Sequence, residues 1–327
     1  MGSLTDGFGR RFPYLRLSII DACNFSCSYC LPDGYQPGPE LRKPLAVPEI
    51  SRLLRGFAAV GMSKVRITGG EPSLRKDLPD IIAAAAAIPG IGKIAMTSNG
   101  SVLKRQSRRW RDAGLTHLNL SVDTLDAKAF HAITGHDRLP DILDGIESLL
   151  ADGFDTLKLN AVMLRDLNDD QLPAWLEYLR TRPLGVRFIE LMQTGTNRAY
   201  FERHHYRAEA LEQQLLASGW LLQASAADAG PARVYRHSEY QGNIGVIAPY
   251  SKDFCAGCNR LRVTSVGDLR LCLFGNTGIP LRQYLGSDAD TGALQSALIS
   301  QLGLKAIGHR LHEGETGLVP HLASIGG

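Results

Sequence analysis

A chain of 327 residues with 44% apolar and 21% charged side chains has the composition of a folded protein with a large core, which excludes disordered and fibrous classes. A formal net charge of +3 is too small for a nucleic-acid coat or a polybasic membrane surface, and 7% aromatics is sparse for base stacking, so any anion binding must come from local arginine clusters. No apolar run approaches the ~20 residues of a membrane span and the first residues carry no apolar core of signal-peptide length, so a reducing cytoplasm is the expected setting.

In chain order, residues 12–20 read as a strand that carries Arg16 and delivers the loop Cys23-Asn24-Phe25-Ser26-Cys27-Ser28-Tyr29-Cys30. A helix at 47–60 opens on Pro48-Glu49 and closes at Gly61. A strand at 65–68 runs into Gly69-Gly70-Glu71-Pro72, and an alanine-rich helix at 77–88 ends at Pro89-Gly90. Strands at 94–97, 117–122, 156–162 and 186–191 then alternate with helices at 104–113, 127–150 and 170–180. Six such units imply a parallel sheet with right-handed crossovers. No GxGxxG follows the first strand and no GxxxxGK[ST] occurs, which argues against dinucleotide and P-loop sites.

The polar residues discriminate further. Cys23, Cys27 and Cys30 follow the first strand, Gly69-Gly70-Glu71 the second and Thr97-Ser98-Asn99 the third. Ser121 and Asp123 end the fourth, Lys158 and Asn160 lie in the fifth, and Glu190 and Met192 end the sixth. Barrel enzymes build their sites at these carboxyl ends. The expected fold is α/β, an incomplete (β/α)6 TIM-like barrel over residues 1–202. Residues 203–327 form a C-terminal extension of short strands and helices: a helix at 207–218, strands at 233–236 and 245–248, a hairpin turned at Gly267-Asp268, and helical patterns at 280–285 and 292–302.

Three thiols within eight residues can face one inorganic centre. Structural zinc takes four protein ligands and iron–sulfur sites usually end on a fourth thiolate, yet no fourth cysteine or histidine lies near this loop. A cubane cluster on three thiolates would keep one iron open for an exogenous ligand. Cys255, Cys258 and Cys272 repeat the shortfall, and three plus three leaves no spare cysteine for either group. With Cys30 and Cys255 225 residues apart and no secretory signal, metal binding is favoured over a disulfide framework. The spacing by itself leaves structural zinc open.

The cysteine loop after the first strand and Gly69-Gly70-Glu71-Pro72 after the second together resemble the radical S-adenosylmethionine enzymes. The resemblance extends along the chain through Tyr14-Leu15-Arg16-Leu17-Ser18, Arg66-Ile67-Thr68, Thr97-Ser98-Asn99-Gly100 and Asn119-Leu120-Ser121-Val122-Asp123-Thr124-Leu125-Asp126. Lys158-Leu159-Asn160, Arg187-Phe188-Ile189-Glu190-Leu191-Met192 and Asn259-Arg260-Leu261-Arg262 continue it, and they point to the branch that cyclises GTP at the start of molybdenum cofactor biosynthesis. Ser26 and Ser73 depart from the residues usual in that branch, neither at a ligand position.

The resemblance implies two 4Fe–4S clusters. Cys23, Cys27 and Cys30 would hold one whose open iron chelates S-adenosylmethionine, with Tyr29, Gly70, Ser121 and Met192 around the cofactor and Gly70 bare so that the backbone can approach the methionyl group. Cys255, Cys258 and Cys272 would hold an auxiliary cluster whose open iron meets the guanine of GTP. Arg16, Arg66, Thr97, Lys158, Arg260 and Arg262 would bind the nucleotide, guanidinium forks suiting phosphate oxygens. Arg260 and Arg262 join the first three cysteines in the catalytic group, and the tail Gly326-Gly327 would reach the site. The implied reaction takes the ribose 3′ hydrogen with an adenosyl radical and joins that carbon to carbon 8 of guanine. Implied partners are a low-potential electron donor and the next enzyme, cyclic pyranopterin monophosphate synthase, with no nucleic acid and no membrane, for a monomer or homodimer. The alternatives are a peptide-modifying radical enzyme with an auxiliary cluster and, from another class, a zinc-stabilised nucleic-acid-binding protein.

Overall fold

The computed structural model describes residues 3–38, 42–154, 156–224, 229–275, 278–317 and 323. Six strands, β1 (Tyr14–Ser18), β2 (Lys64–Thr68), β3 (Lys93–Ser98), β4 (His117–Ser121), β5 (Leu157–Met163) and β6 (Gly185–Glu190), lie side by side in chain order, each parallel to the next. The helices between them are α1 (Val47–Ala59), α2 (Leu78–Ala86), α3 (Leu103–Asp112), α4 (Ala127–Thr134), α5 (Leu139–Ala151) and α6 (Leu172–Arg180). After β6 come α7 (Arg198–His204), α8 (Ala208–Ala217), β7 (Leu221–Leu222), β8 (Arg233–Arg236) and β9 (Asn243–Ile247). Then follow β10 (Arg260–Val263), β11 (Asp268–Arg270), β12 (Ile279–Pro280) and α9 (Thr291–Leu302).

The incomplete barrel expected from the sequence is present, and the C-terminal strands extend it at both edges. β10 pairs in parallel with β1, and β9 pairs in parallel with β6. The twelve-stranded order is β12-β11-β10-β1-β2-β3-β4-β5-β6-β9-β8-β7. The pattern at 280–285 is not a helix: Leu269 pairs with Ile279 in β12, and a single 3-10 turn, Arg282–Tyr284, follows. α7 had no strong signal in the sequence because it is only seven residues long, held by an Arg198–Glu202 ion pair of 2.9 Å.

Local chemistry explains the framework. α1 buries Ile50, Leu53, Leu54 and Phe57 at helical spacing, and Glu49 accepts from the backbone N–H of Ala46 at 2.8 Å. α4 begins where the Asp126 carboxylate accepts from the Ala129 N–H at 2.8 Å. Within the strands, period two separates two surfaces. Leu15 and Leu17, Val65 and Ile67, Leu118 and Leu120, and Leu157 and Leu159 are buried in the one large apolar cluster shared with the helices. Their alternates, Tyr14 and Arg16, Lys64 and Arg66, Thr97, Asn119 and Asn160, line an interior space. A closed barrel fills its interior with apolar layers; this one keeps its interior polar and leaves a chamber.

Candidate active site

The first cysteine loop is clamped from both sides by backbone. On one side the Gly70 N–H donates to Ile20 O and the Glu71 N–H to Ala22 O, each at 2.8 Å. A Cβ on Gly69, whose φ is +149°, would lie 2.2 Å from Ile20 O, and one on Gly70 would lie 2.3 Å from Ala22 O. The missing Cβ of Gly70 is therefore already required by the cysteine loop itself, before any ligand is considered. On the other side, Ser26 and Ser28 donate their N–H groups to the carbonyls of Thr134 and Ile133 at the end of α4, at 3.2 and 2.8 Å. Phe25 stacks on His136 with ring centroids 4.7 Å apart.

Glu71 is fully buried and accepts from Ser73 N (2.9 Å), Ser98 Oγ (2.9 Å) and Asn99 N (2.7 Å), tying the exit of β2 to the exit of β3. Burial raises its carboxyl above the usual range, against the pull of those hydrogen bonds.

A cavity opens on this loop. Cys23, Cys27, Cys30, Tyr29, Gly70, Ser121 and Met192, all the residues assigned by resemblance to the first cluster and S-adenosylmethionine, stand on its wall. Asp123 stands there too, receiving the Tyr29 hydroxyl at 3.0 Å and the Val162 N–H at 2.8 Å, and burial lifts its carboxyl to about 6. Ala323 lines the same cavity, and its backbone N–H is directed at Cys30. The Gly326-Gly327 pair lies outside the described residues.

All six cysteines are free of disulfides. Burial pushes the thiols of Cys23 and Cys27 up and that of Cys30 up to about 12, so in the absence of a cation they keep their protons. Binding an iron cluster would draw them out as thiolates. Among the described residues no three His, Cys, Asp or Glu side chains converge on a single ion; the thiols of each triad instead ring a cavity. Three desolvated thiols, no fourth thiol on the wall and one carboxylate already engaged by two donors fit a cluster with one iron open to a ligand.

The second cavity has Cys255, Cys258 and Cys272 on its wall together with Arg16, Lys64, Arg66, Arg187, Arg260, Arg262 and Lys305, and no carboxylate among its lining residues. Thr97, Asn160, Ile189 and Met192 line both cavities, so the two meet at those side chains. Sheet register explains the cationic cluster: Arg262, Arg16 and Arg66 are direct neighbours across β10, β1 and β2, and Arg260, Tyr14 and Lys64 form the next row. Like charges set side by side are repulsive. Burial, and then the other cations, hold Arg262 and Arg187 down to about 10, and burial with the neighbouring arginines lowers Arg16. The Nε atoms of Arg260 and Arg262 are buried without a hydrogen-bond partner among the described residues.

Of the residues assigned to the nucleotide, Arg16, Arg66, Thr97, Arg260 and Arg262 share this wall. Lys158 is not on it but lies in the same field, lowered to about 8 by burial and by Arg187, Arg66 and Lys64. The sequence placed Asp123 at a strand's carboxyl end without a contact, and Tyr14, Lys64, Arg187, Lys305 and His309 had no site role assigned. Tyr14 and Lys64 were within reach, since each precedes an assigned arginine by two residues and shares its strand face. Lys305 and His309 carried no signal, because they lie in irregular chain after α9.

Residues 17–179 match the Radical SAM superfamily and residues 184–311 match Molybdenum Cofactor Synthesis C. The fold is shared with Streptococcus suis SuiB, solved bound to S-adenosylmethionine, at a TM-score of 0.59 and 16% identity over 87% of this chain and 68% of that one. Partial barrel, cysteine loop and family match together define a radical S-adenosylmethionine enzyme. The chain is 63% identical over its full length, and over all of the relative, to the GTP 3′,8-cyclase of Stenotrophomonas maltophilia strain K279a. It is 56% identical, over 100% of this chain and 97% of the relative, to that of Aeromonas hydrophila. The chain belongs to the GTP 3′,8-cyclase family of molybdenum cofactor biosynthesis.

Proposed function

We propose that the chain converts GTP to (8S)-3′,8-cyclo-7,8-dihydroguanosine 5′-triphosphate, with residues 1–202 generating the radical and residues 203–327 completing the nucleotide site. The observation that carries this reading is one chamber wall bearing seven cationic side chains, no carboxylate and a cysteine triad, in contact with a second chamber bearing the other triad.

Cys23, Cys27 and Cys30 would hold a 4Fe–4S cluster, and Cys255, Cys258 and Cys272 a second. When bound, the first supplies one electron to S-adenosylmethionine and so a radical able to abstract hydrogen. Tyr29, Gly70, Ser121 and Met192 surround the place of that cofactor, and Asp123 fixes the Tyr29 ring. Arg16, Lys64, Arg66, Arg260 and Arg262 take the triphosphate, whose charge relieves their mutual repulsion. Thr97 and Asn160, on the wall common to both chambers, leave the ribose between radical source and base site. Loss of the 3′ hydrogen, bond formation to carbon 8, and one electron and one proton from an external low-potential donor balance the reaction. The reducing cytoplasm and the subsequent pyranopterin synthase complete the proposed setting; among the described residues no helix is long and apolar enough to cross a membrane.

The test is an anaerobic assay with GTP, S-adenosylmethionine and a strong reductant, read for 5′-deoxyadenosine and a cyclised nucleotide. Both products are expected. Intact clusters with 5′-deoxyadenosine but no cyclised nucleotide would overturn the substrate assignment.

A further inference from the structure

Lys305 sits just beyond α9 with 5% of its surface exposed. Its ammonium donates to the carbonyl of Leu271, the residue before Cys272, and lies 5.1 Å from the ring centroid of Phe12. A buried ammonium is costly unless an anion compensates it. Among the described residues no carboxylate pairs with Lys305. It lines the same chamber wall as Cys258 and Cys272, the second of which directly follows the Leu271 carbonyl that it holds.

Arg10 reaches the same triad but differs in kind. Its guanidinium donates to the carbonyls of Cys255 (3.1 Å), Ile307 (2.6 Å) and Ala306 (2.8 Å), while Asp6 at 2.7 Å neutralises it. Arg260 and Arg262 line the same chamber as Lys305 but sit in the cationic rows that β10 forms with β1. Lys305 alone combines burial, an anchor on the backbone of a cysteine's neighbour and the lack of a carboxylate.

We propose that Lys305 is a positioning residue of the second cysteine triad, holding one fixed positive charge against Cys258 and Cys272 so that a cluster there is retained and is easier to reduce. Reduction adds a negative charge to a cluster, and a fixed cation beside it favours the reduced form. This rests on the reading that the triad holds a 4Fe–4S cluster.

The experiment compares the anaerobically reconstituted wild type, Lys305→Met and Lys305→Arg by iron content and by a redox titration followed by electron paramagnetic resonance. The auxiliary signal is the one that added GTP shifts and S-adenosylmethionine leaves alone. Wild type should carry about eight irons per chain, as two four-iron clusters require; about four would overturn the underlying reading and the inference with it. In Lys305→Met the reduction equilibrium of the auxiliary cluster should fall at least tenfold, 59 mV for a one-electron couple, with Lys305→Arg close to wild type. Loss of the auxiliary cluster in Lys305→Met but not in Lys305→Arg supports the same role. An unchanged midpoint in Lys305→Met, or equal loss of iron in both variants, would sink it.

Discussion

Tyr14 stands among cations: Arg66 Nε donates to its hydroxyl, the Lys64 ammonium lies 4.5 Å from its ring centroid, and Arg16 is near. Burial alone would raise the phenol, but Arg66, Arg16 and Lys64 outweigh it and lower the group from 10 to about 7. Between about pH 7 and pH 10 the unfolded chain therefore holds a proton that the folded chain has released, so this contribution to stability grows as pH rises and is gone below about 7. The thermal midpoint of wild type relative to Tyr14→Phe should accordingly widen from pH 6 to pH 9; a gap that stays constant would refute the phenolate. Glu71 acts by acceptance rather than charge. Glu71→Ala leaves the Asn99 N–H and the Ser98 hydroxyl without their acceptor in a buried place, at a cost of about 1–3 kcal/mol for each group left unpaired. The expected readout is a lower thermal midpoint together with weaker iron retention at the first triad.

The decisive element is the junction where the exit of β2 lies on the cysteine loop. Gly69→Ala or Gly70→Ala would drive a methyl group into carbonyl oxygens of residues 20–22, and backbone cannot swing aside as a flexible side chain can. These variants should lose about half of the reconstituted iron and all cleavage of S-adenosylmethionine, while the second triad keeps its cluster. Full iron content in either variant would show that the loop tolerates the shift. At this scale the sequence was readable where amphipathic period and punctuation agreed, as in α1 with its Pro48 start and Gly61 stop. It misled at 280–285, where Leu281 and Leu285 stand at helical spacing and are both buried in the large core cluster, but the chain between them makes only one 3-10 turn after β12.

Across the whole molecule, the sheet gathers cations from β1, β2, β6 and β10 into one chamber, and the fold bears their repulsion until an anion enters. A polyphosphate that binds only the folded chain should raise its stability by about 2.7 kcal/mol at a hundredfold excess over its dissociation constant. GTP and inorganic triphosphate should both raise the thermal midpoint, with guanosine much weaker. An equal effect of guanosine would place recognition on the base rather than on the arginines.

The sequence by itself determined the parallel β/α order, the two cysteine triads and most of the arginines, because strand period, glycine punctuation and thiol spacing are local properties of a chain. What only the tertiary structure decided is that β10, about 240 residues after β1, lies beside it, setting Arg262 next to Arg16, and that Lys305 is buried on one chamber wall with Cys258 and Cys272. Those neighbours are made by sheet pairing and burial between distant segments, and no spacing along the chain encodes them.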